Sequence, residues 1–216
     1  MEETKYHTDL YERIPAEKRE RIMAASIEEF AEKGFRGANT NEIARKARVS
    51  IGSLFKYFNT KEDLFLATVQ TGVHELQEVL DSLDTEDMGF FDTLDYLLQV
   101  IQEHSRKRSP LIRLYNELTA EGNVDMARRL SFSLETITAA AYRSLITRHQ
   151  ERGTIPSDFD AGVFAFCMDN LFLSLQFSYG SPYYMERMKI YLGDDVEKKD
   201  LWIRQEVMKF LKRAFR

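Results

Sequence analysis

The apolar residues of this chain recur at intervals of three and four, which is the period of an α-helix, and not at the interval of two that a β-strand requires. The 216 residues include four prolines and ten glycines, which leaves room for long helices. The pattern predicts an all-α protein. Residues 1–12 mix charged and polar side chains without any period, and we expect a flexible arm there.

The apolar period places one helix near the start of the chain and a series of longer helices after residue 60. The first helix runs from Pro15 to Gly34, because proline suits the first position of a helix and glycine often ends one. The later helices are predicted at residues 60–83, 88–105, 109–120, 123–151, 158–179, 183–192 and 194–215. Residues typical of turns and helix caps separate them.

Two short helices are predicted between the first helix and the longer ones, at residues 40–47 and 50–57. Asn39 and Glu42 resemble a capping box for the first, and Ser50 is a natural cap for the second. Helices of this length, joined by a three-residue turn, fit a helix-turn-helix, in which the second helix enters the major groove of DNA. We assign a structural role to the apolar residues of this segment: Ile43, Ala47, Val49, Leu54 and Phe58.

The charge distribution favours a nucleic-acid contact at the same segment. The whole chain is acidic, with a formal net charge of −5, so DNA binding requires a local basic patch. The 27 residues from 35 to 61 contain six basic residues and one acidic residue, Glu42. In the second short helix, Gly52 permits close approach of the backbone to DNA. Lys56 and Tyr57 in this helix, and Lys61 just after it, can reach phosphates.

The segment also carries an ordered motif, which reads Thr40, then "EIA", "VS", "GSLFKYF" and "KEDL". From residue 22 to residue 64 the chain resembles the DNA-binding signature of the TetR (tetracycline repressor) family of bacterial regulators. The resemblance implies a helix-turn-helix DNA-binding domain at residues 1–60 and a larger helical effector-binding and dimerisation domain at residues 61–216. It implies that these positions line the DNA, the last of them touching a phosphate: Thr40, Ser50, Gly52, Ser53, Phe55, Lys56, Tyr57 and Lys61.

The chain departs from the family pattern at two positions. Phe55 stands where the family usually has a tyrosine whose hydroxyl reaches a phosphate; phenylalanine cannot donate that bond, which leaves packing as its role. Arg48 stands where the family usually has a turn glycine, so it either strains the turn or adds a phosphate contact, and we include it among the DNA-binding candidates. Lys46 and Lys56 are the best long side chains for contacting bases. The serines accept several partners, so the operator sequence does not follow from these residues.

Residues 161–179 are apolar around nearly the whole helix circumference, which is typical of a helix buried on more than one side. A transmembrane span is the rival interpretation, but Asp169 and Asn170 lie at the centre of the segment. The last helix carries a second apolar stripe. The resemblance implies that these two helices pair with those of a second subunit, and we expect the dimer interface to contain Phe172, Leu175, Ile203, Val207, Phe210 and Leu211.

The resemblance also implies a pocket for an effector among the helices between residues 64 and 184. This region is rich in aromatic side chains and suits a small apolar or amphipathic molecule; no cofactor and no metal are implied. The candidates for contacting the effector are Tyr115, Asn116, Phe166, Asn170 and Gln176. Asn170 and Gln176 are equally compatible with helix-to-helix hydrogen bonds.

Other classes of protein explain the sequence less well. The four histidines are scattered, and no nucleophile, phosphate-loop or dinucleotide motif is present, so we do not expect an enzyme. The single cysteine, Cys167, excludes an internal disulfide, is expected in the core, and favours a cytoplasmic location. The alternative is a helical protein–protein interaction module without sequence-specific DNA binding, which would leave the basic segment unexplained. The sequence therefore predicts a cytoplasmic, homodimeric repressor that binds a palindromic DNA operator and is released by its effector.

Overall fold

The computed structural model describes residues 5–81, 87–120 and 124–215, and the side chains of residues 5–75, 77, 78, 87–116 and 135–215. Within these ranges every regular element is helical, which confirms the predicted all-α fold. The α-helices are α1 (Asp9–Glu12), α2 (Ala16–Gly37), α3 (Thr40–Lys46), α4 (Ile51–Tyr57), α5 (Lys61–Asp81), α6 (Phe90–Lys107), α7 (Ser109–Ala120), α8 (Val124–Glu151), α9 (Ala161–Gly180), α10 (Pro182–Leu192) and α11 (Asp200–Ala214); a 3₁₀ turn spans Val196–Lys198.

The chain folds as two compact units. The first contains Met1–Leu76 and Arg113–Ser131, and the second contains Gln77–Ile112 and Phe132–Arg216. The first unit thus runs past residue 60, through most of α5. The predicted division of function between residues 1–60 and 61–216 stays a prediction.

The core of the first unit is built from the apolar faces of α2, α3, α4 and α5. Phe30 is fully buried, and its ring meets the edge of Phe65 with 5.0 Å between the ring centroids. The predicted structural residues Ile43, Leu54 and Phe58 are also buried, as their helical spacing requires. Burial of these side chains fixes the two short helices against the longer ones.

The first unit differs from the predicted capping at one helix. Gly34 has a positive φ of 67°, which glycine adopts at little cost, and α2 kinks there where we predict its end. The side chain of Asn39 caps α3 by accepting the N–H of Asn41, but Glu42 pairs with Arg45 instead of returning to Asn39. The predicted capping box is therefore wrong in its second half.

The predicted flexible arm is also wrong over the part that the structure describes. Tyr6 and Tyr11 are buried, and the Tyr11 ring packs on Phe58 with 4.9 Å between the centroids. Burial raises the pKa of Tyr11 to about 12, with the positive charge of Arg19 acting in the opposite direction. The polar composition of this segment hid two aromatic anchors that hold it against the helix-turn-helix.

The second unit has its own core between α6, α8, α9, α10 and α11. Leu94, Leu98, Ile146 and Phe172 are among its buried side chains. At the end of α9, Gly180 lies so close to α7 that a Cβ atom there would stand 2.5 Å from the Cβ of Ile112. Glycine is therefore required at this position by packing alone.

A polar network ties three elements of the second unit together. Arg106 on α6 donates two hydrogen bonds to the carboxylate of Asp200, at 3.0 and 2.7 Å, and lies over the ring of Tyr179. Gln102 donates to the hydroxyl of Tyr179 and to the backbone carbonyl of Asp200, both at 2.9 Å. The bidentate Arg106–Asp200 geometry is the strong form of an ion pair.

The helix α9 is long and apolar enough to cross a membrane by length and composition, but one side of it belongs to a protein core. Ala165, Met168, Phe172 and Leu175 point into the second unit and are buried. The opposite side forms a stripe at helical spacing, which we call the α9 stripe; its exposed members are Val163, Phe166, Cys167, Asn170 and Ser174. The expectation that Cys167 is a core thiol is wrong, since this cysteine is exposed.

The predicted dimer interface needs correction for the same reason. Four of its six residues are buried in the core of a single subunit: Phe172, Leu175, Ile203 and Leu211. Val207 is half-buried, and Phe210 is exposed. A side chain that already fills the core of one subunit offers no surface to another copy.

Candidate DNA-binding surface

The turn between α3 and α4 is tight and has an unusual backbone. The N–H of Val49 donates to the carbonyl of Ala44 at 2.9 Å, which closes the turn. Arg48 sits in the left-handed region with a φ of 57°. A residue with a Cβ pays about 1–2 kcal/mol for this conformation, so the strain foreseen at the usual glycine position is present. The Arg48 side chain is exposed to solvent.

The N-terminus of α4 is fixed by two serines. The Ser50 hydroxyl accepts the N–H of Ser53 at 3.0 Å, which confirms the predicted cap, and the two hydroxyls lie 2.8 Å apart. Ser50 is exposed and Ser53 is half-buried. Their mutual bonds hold the hydroxyls at the position where the helix would meet a groove.

Gly52 lies between these serines on an open surface. A Cβ atom built on Gly52 would meet nothing within 4 Å. The fold of this chain therefore does not need glycine there, and its φ is not in the left-handed region. A helical glycine without an internal packing reason is typical of a site where another molecule approaches the backbone closely.

Two apolar side chains are exposed on the same helix. Phe55 is 40% exposed and the rest of its side chain is covered, so its packing role and its place on the DNA surface both stay predictions. Ile51, one turn earlier, is 36% exposed and was not among the predicted contacts. Charged or polar residues are usual on an exposed helix face. An apolar residue on the outer face of α4 is therefore a signal that the sequence already contains.

Tyr57 points away from this surface. Its side chain is buried, with only 6% exposed, and its hydroxyl accepts a hydrogen bond from Nζ of Lys18 at 2.8 Å. The Tyr57 ring also lies near Tyr11. Its predicted contact with DNA is therefore corrected to a structural role.

The C-terminal end of α4 is held by the N-terminal segment, which sequence reasoning missed. The N–H of Thr8 donates to the carbonyl of Tyr57 at 2.9 Å, and the Thr8 hydroxyl donates to the carbonyl of Lys56 at 2.8 Å. These carbonyls have no partner within the helix itself. Thr8 thus fixes the position of the helix that carries the exposed face.

The basic residues of the segment divide into tethered and unpaired groups. Lys46 pairs with Glu28 at 3.2 Å and with Glu29 at 3.5 Å, so it lies against α2 and is withdrawn as a base-contacting candidate. Nζ of Lys61 donates to the carbonyl of Arg36 at 3.2 Å and so holds the end of α2. Among the residues that the structure describes, Arg48 and Lys56 form no ion pair.

A buried carboxylate organises the tethered group. Glu29 is fully buried. Burial opposes its ionisation, but hydrogen bonds from Lys33 and from the N–H of Asn39, with the charge of Lys46, hold its pKa below the usual range. The negative charge therefore stays in place at neutral pH and anchors α3 to α2.

Thr40 begins α3 and is half-buried, beside the exposed residues of the turn. The surface that remains exposed or half-exposed at the predicted positions is thus Thr40, Arg48, Ser50, Gly52, Ser53, Phe55 and Lys56, with Ile51 added. Lys61 stands at the first turn of α5, half-buried. This surface combines two unpaired cations, small polar groups and an approachable backbone, which are the groups that contact phosphates and groove edges.

The predicted effector contacts lie on different elements. Tyr115 and Asn116 are half-buried on α7. Gln176 is half-buried on α9. Phe166, 68% exposed, and Asn170 belong instead to the α9 stripe, where the Asn170 amide donates to the carbonyl of Phe166 at 2.8 Å. Both residues are exposed, so their predicted contact with an effector stays a prediction.

No group of three His, Cys, Asp or Glu side chains within the described residues is placed to hold a metal ion.

Comparison with known proteins places this surface inside a recognised segment. Residues 22–68 match the family model described as bacterial regulatory proteins, tetR family. The HTH-type transcriptional regulator TtgW of Pseudomonas putida is 30% identical over 110 residues, which are 49% of this chain and 79% of that protein. Several other curated regulators match over half of their own length or less.

Solved structures share the fold over nearly the whole chain. The fatty acid degradation regulator FadR of Bacillus halodurans has a TM-score of 0.74 at 18% identity, covering 91% of this chain and 96% of that one. A transcriptional regulator FadR of Bacillus subtilis, solved in complex with stearoyl-CoA, has a TM-score of 0.65 at 19% identity, covering 84% and 96%. At these identities the likeness concerns the fold.

Proposed function

Because this chain belongs to the TetR family of bacterial regulatory proteins, and is a transcriptional regulator and not an enzyme, we propose that it is a ligand-responsive repressor. It binds a palindromic DNA operator as a homodimer in the cytoplasm. A small apolar or amphipathic effector releases it. The single observation that carries this proposal is the exposed face of α4, with the open backbone at Gly52 beside the unpaired cations Arg48 and Lys56.

The α4 face supports DNA binding through its chemistry. Arg48 and Lys56 supply positive charge for phosphates, and their release of counterions makes the affinity depend on salt. Ser50 and Ser53 are held by the cap at the end of the helix that enters a major groove in this motif. The remaining negative charge of the chain lies largely elsewhere, since residues 62–216 contain 25 acidic and 18 basic residues.

The α9 stripe supports dimerisation. Val163 and Phe166 leave apolar surface uncovered in a single subunit. Exposed apolar side chains in a contiguous stripe are typical of an interaction surface. A symmetric pair of subunits would cover the stripe and present two copies of α4 to the two halves of a palindrome.

The effector proposal has support from a relative and from composition. The FadR structure of Bacillus subtilis holds stearoyl-CoA, an amphipathic molecule with a long apolar chain. Residues 64–184 of this chain include many aromatic side chains, and Tyr115, Asn116 and Gln176 stay candidates for polar contacts with an effector. For release, the effector must bind more tightly to a dimer shape that does not fit the operator.

The proposal is tested by selecting fragments of the source genome on the purified protein at about 150 mM salt and sequencing those that stay bound. We expect one palindromic site to be enriched. Lys56→Ala should lower the slope of log affinity against log salt by about one, because one phosphate contact is lost, and Lys61→Ala should do the same if its tether to α2 releases it on DNA. The control is Lys209→Ala on α11, which should change neither.

Absence of any enriched duplex from folded protein, even at lowered salt, would overturn the proposal and favour the protein-interaction alternative. The dimer is tested separately by sedimentation. Phe166→Arg should weaken self-association at least roughly tenfold, since it places a charge in the apolar stripe. Tyr96→Arg on α6 is the matched control, because Tyr96 is also an exposed aromatic residue but lies outside the stripe.

A further inference from the structure

Ile51 and Phe55 on α4 each leave more than a third of their apolar surface exposed. Ile51 and Phe55 are four residues apart, so their side chains lie on the same face of the helix. The buried contacts of α4 come from other positions, Leu54 and Tyr57. Ile51 and Phe55 therefore leave apolar surface in water on an element that the rest of this unit holds firmly in place.

The environment of the pair limits what it can contact. Its neighbours on the exposed side are Ser50, Gly52 and Lys56, and a Cβ on Gly52 would meet no other atom within 4 Å. The pair therefore lies on an exposed part of α4, beside a backbone that another molecule can approach at Gly52. An apolar side chain gains nothing from a phosphate oxygen or from the polar atoms of a base edge.

The major groove offers one apolar group, the C5 methyl of thymine. The other base edges in that groove present hydrogen-bond donors and acceptors. Phe55 also lacks the hydroxyl that would direct it to a phosphate, so its ring is left with apolar contacts. A thymine methyl is the partner in duplex DNA that suits both side chains.

We propose that Ile51 and Phe55 form an apolar reader of thymine methyl groups, which fixes thymine at one or two positions in each half of the operator. The inference rests on the proposed function, because it requires α4 to lie in the major groove. It goes further by assigning base specificity to two apolar side chains instead of to the serines and lysines of the same helix.

The experiment uses the enriched operator and the full-length protein. Each thymine of one half-site is replaced in turn by deoxyuridine, which keeps every hydrogen-bonding atom and removes only the methyl group. We expect the affinity of the wild-type protein to fall about fourfold at each position that is read, the change expected for burying one methyl group, and to stay constant at the other thymines.

Variants identify the side chains that read the methyl. Ile51→Ala and Phe55→Ala should each bind the thymine and deoxyuridine operators equally at one of the sensitive positions. Lys56→Ala is the control: it should weaken binding to both operators by the same factor and keep the ratio between them. Each side chain is partly covered by the protein, so circular dichroism must first show that both variants are folded at the assay temperature.

Two results would overturn the inference and leave the proposed function standing. One is equal affinity of the wild-type protein for thymine and deoxyuridine operators at every position. The other is discrimination that survives in both alanine variants, which would assign the methyl contact to other residues. If no duplex is bound at all, the proposed function fails first, and an exposed apolar pair would then favour a protein partner.

Discussion

Two glycines on two helices show how differently this chain uses the same residue. Gly180 on α9 is buried against Ile112, and a side chain there would overlap with it. Gly52 on α4 is exposed, and a side chain there would meet nothing. The first glycine serves packing within the second unit. The second has no packing purpose among the described residues, which favours close approach of another molecule to the backbone of α4.

The exposed apolar side chains of the two helices extend the comparison. On α9 they form a continuous stripe that includes Val163 and Phe166, without unpaired cations in its described members. On α4 the pair Ile51 and Phe55 stands between serines and Lys56. An apolar stripe alone fits another apolar stripe, whereas apolar groups among cations and small polar groups fit a polyanion with methyl groups in its groove.

Gly180→Ala is expected to give the largest change in stability. The added Cβ would lie 2.5 Å from the Cβ of Ile112, so either α9 or α7 must move. Overpacking of this kind costs about 1–3 kcal/mol of the free energy of unfolding. Denaturant unfolding followed by circular dichroism measures the loss. A stable Gly180→Ala variant would mean that the packing at this position is looser than the structure describes.

Gly52→Ala should separate stability from binding. Alanine is the better helix former, so the free energy of unfolding should rise by up to about 1 kcal/mol. Affinity for the operator should fall roughly tenfold, because the methyl group would occupy the space through which DNA approaches the backbone. A variant that is more stable and binds equally well would contradict the assignment of Gly52 to the DNA surface.

Arg48→Gly should resolve the two roles foreseen for this position. Glycine removes the strain of the φ of 57°, so the free energy of unfolding should rise by about 1 kcal/mol. Loss of a phosphate contact should lower the salt slope of DNA binding by about one. Increased stability with an unchanged salt slope would leave strain as the only consequence of the arginine.

The smallest expected effect is a change of stability with pH. It contrasts His149, which burial keeps neutral, with Glu29, whose charge is held by cations. Burial lowers the pKa of His149, with the charges of Arg148 and Arg152 acting in the same direction, and its Nδ1 lies 2.8 Å from the Thr154 hydroxyl. The unfolded chain therefore takes up this proton first as the pH falls below about 6.5, and stability is lost. Glu29, whose pKa is lowered by its cations, contributes stability that is lost only in more acid solution.

The measurement compares wild type with His149→Gln between pH 7.5 and 5.5. Wild type should lose stability relative to the variant as the pH falls. Asp169 acts in the opposite direction in this range, since burial and the neighbouring Glu135 raise its pKa to about 6, with the Thr138 hydrogen bond opposing them. Asp169 is present in both proteins, so its contribution cancels. A constant difference across this range would exclude His149 as the source.

The sequence predicted the elements of the first unit well because their ends have local chemical signals. Ser50 caps α4 as predicted, and Gly34 kinks α2 at the predicted end, although the helix continues to Gly37. The contacts that side chains make with distant parts of the chain were predicted less well. Thr8 bonds to Lys56 across 48 positions, and Lys46 turns back to α2, contacts that no local pattern indicates.

Most of the predicted dimer residues proved to be buried for a different physical reason. The helix α9 is apolar on nearly every side, so no polar face in its sequence shows which side is buried and which is exposed. Phe172 and Leu175 prove to face the core, and Phe166 and Cys167 face outward. Only the packing of α6 and α10 against α9 decides the matter, and that information is tertiary.

The central claim is that the exposed face of α4 touches DNA, and photo-crosslinking tests it most directly. Phe55 is replaced by the photoreactive benzoylphenylalanine, and Tyr96 on α6, which is exposed to a similar degree, is replaced in a control protein. Irradiation with the enriched operator should give a covalent protein–DNA product from position 55 and none from position 96. A folded protein that binds the operator but gives no product from position 55 would contradict the claim.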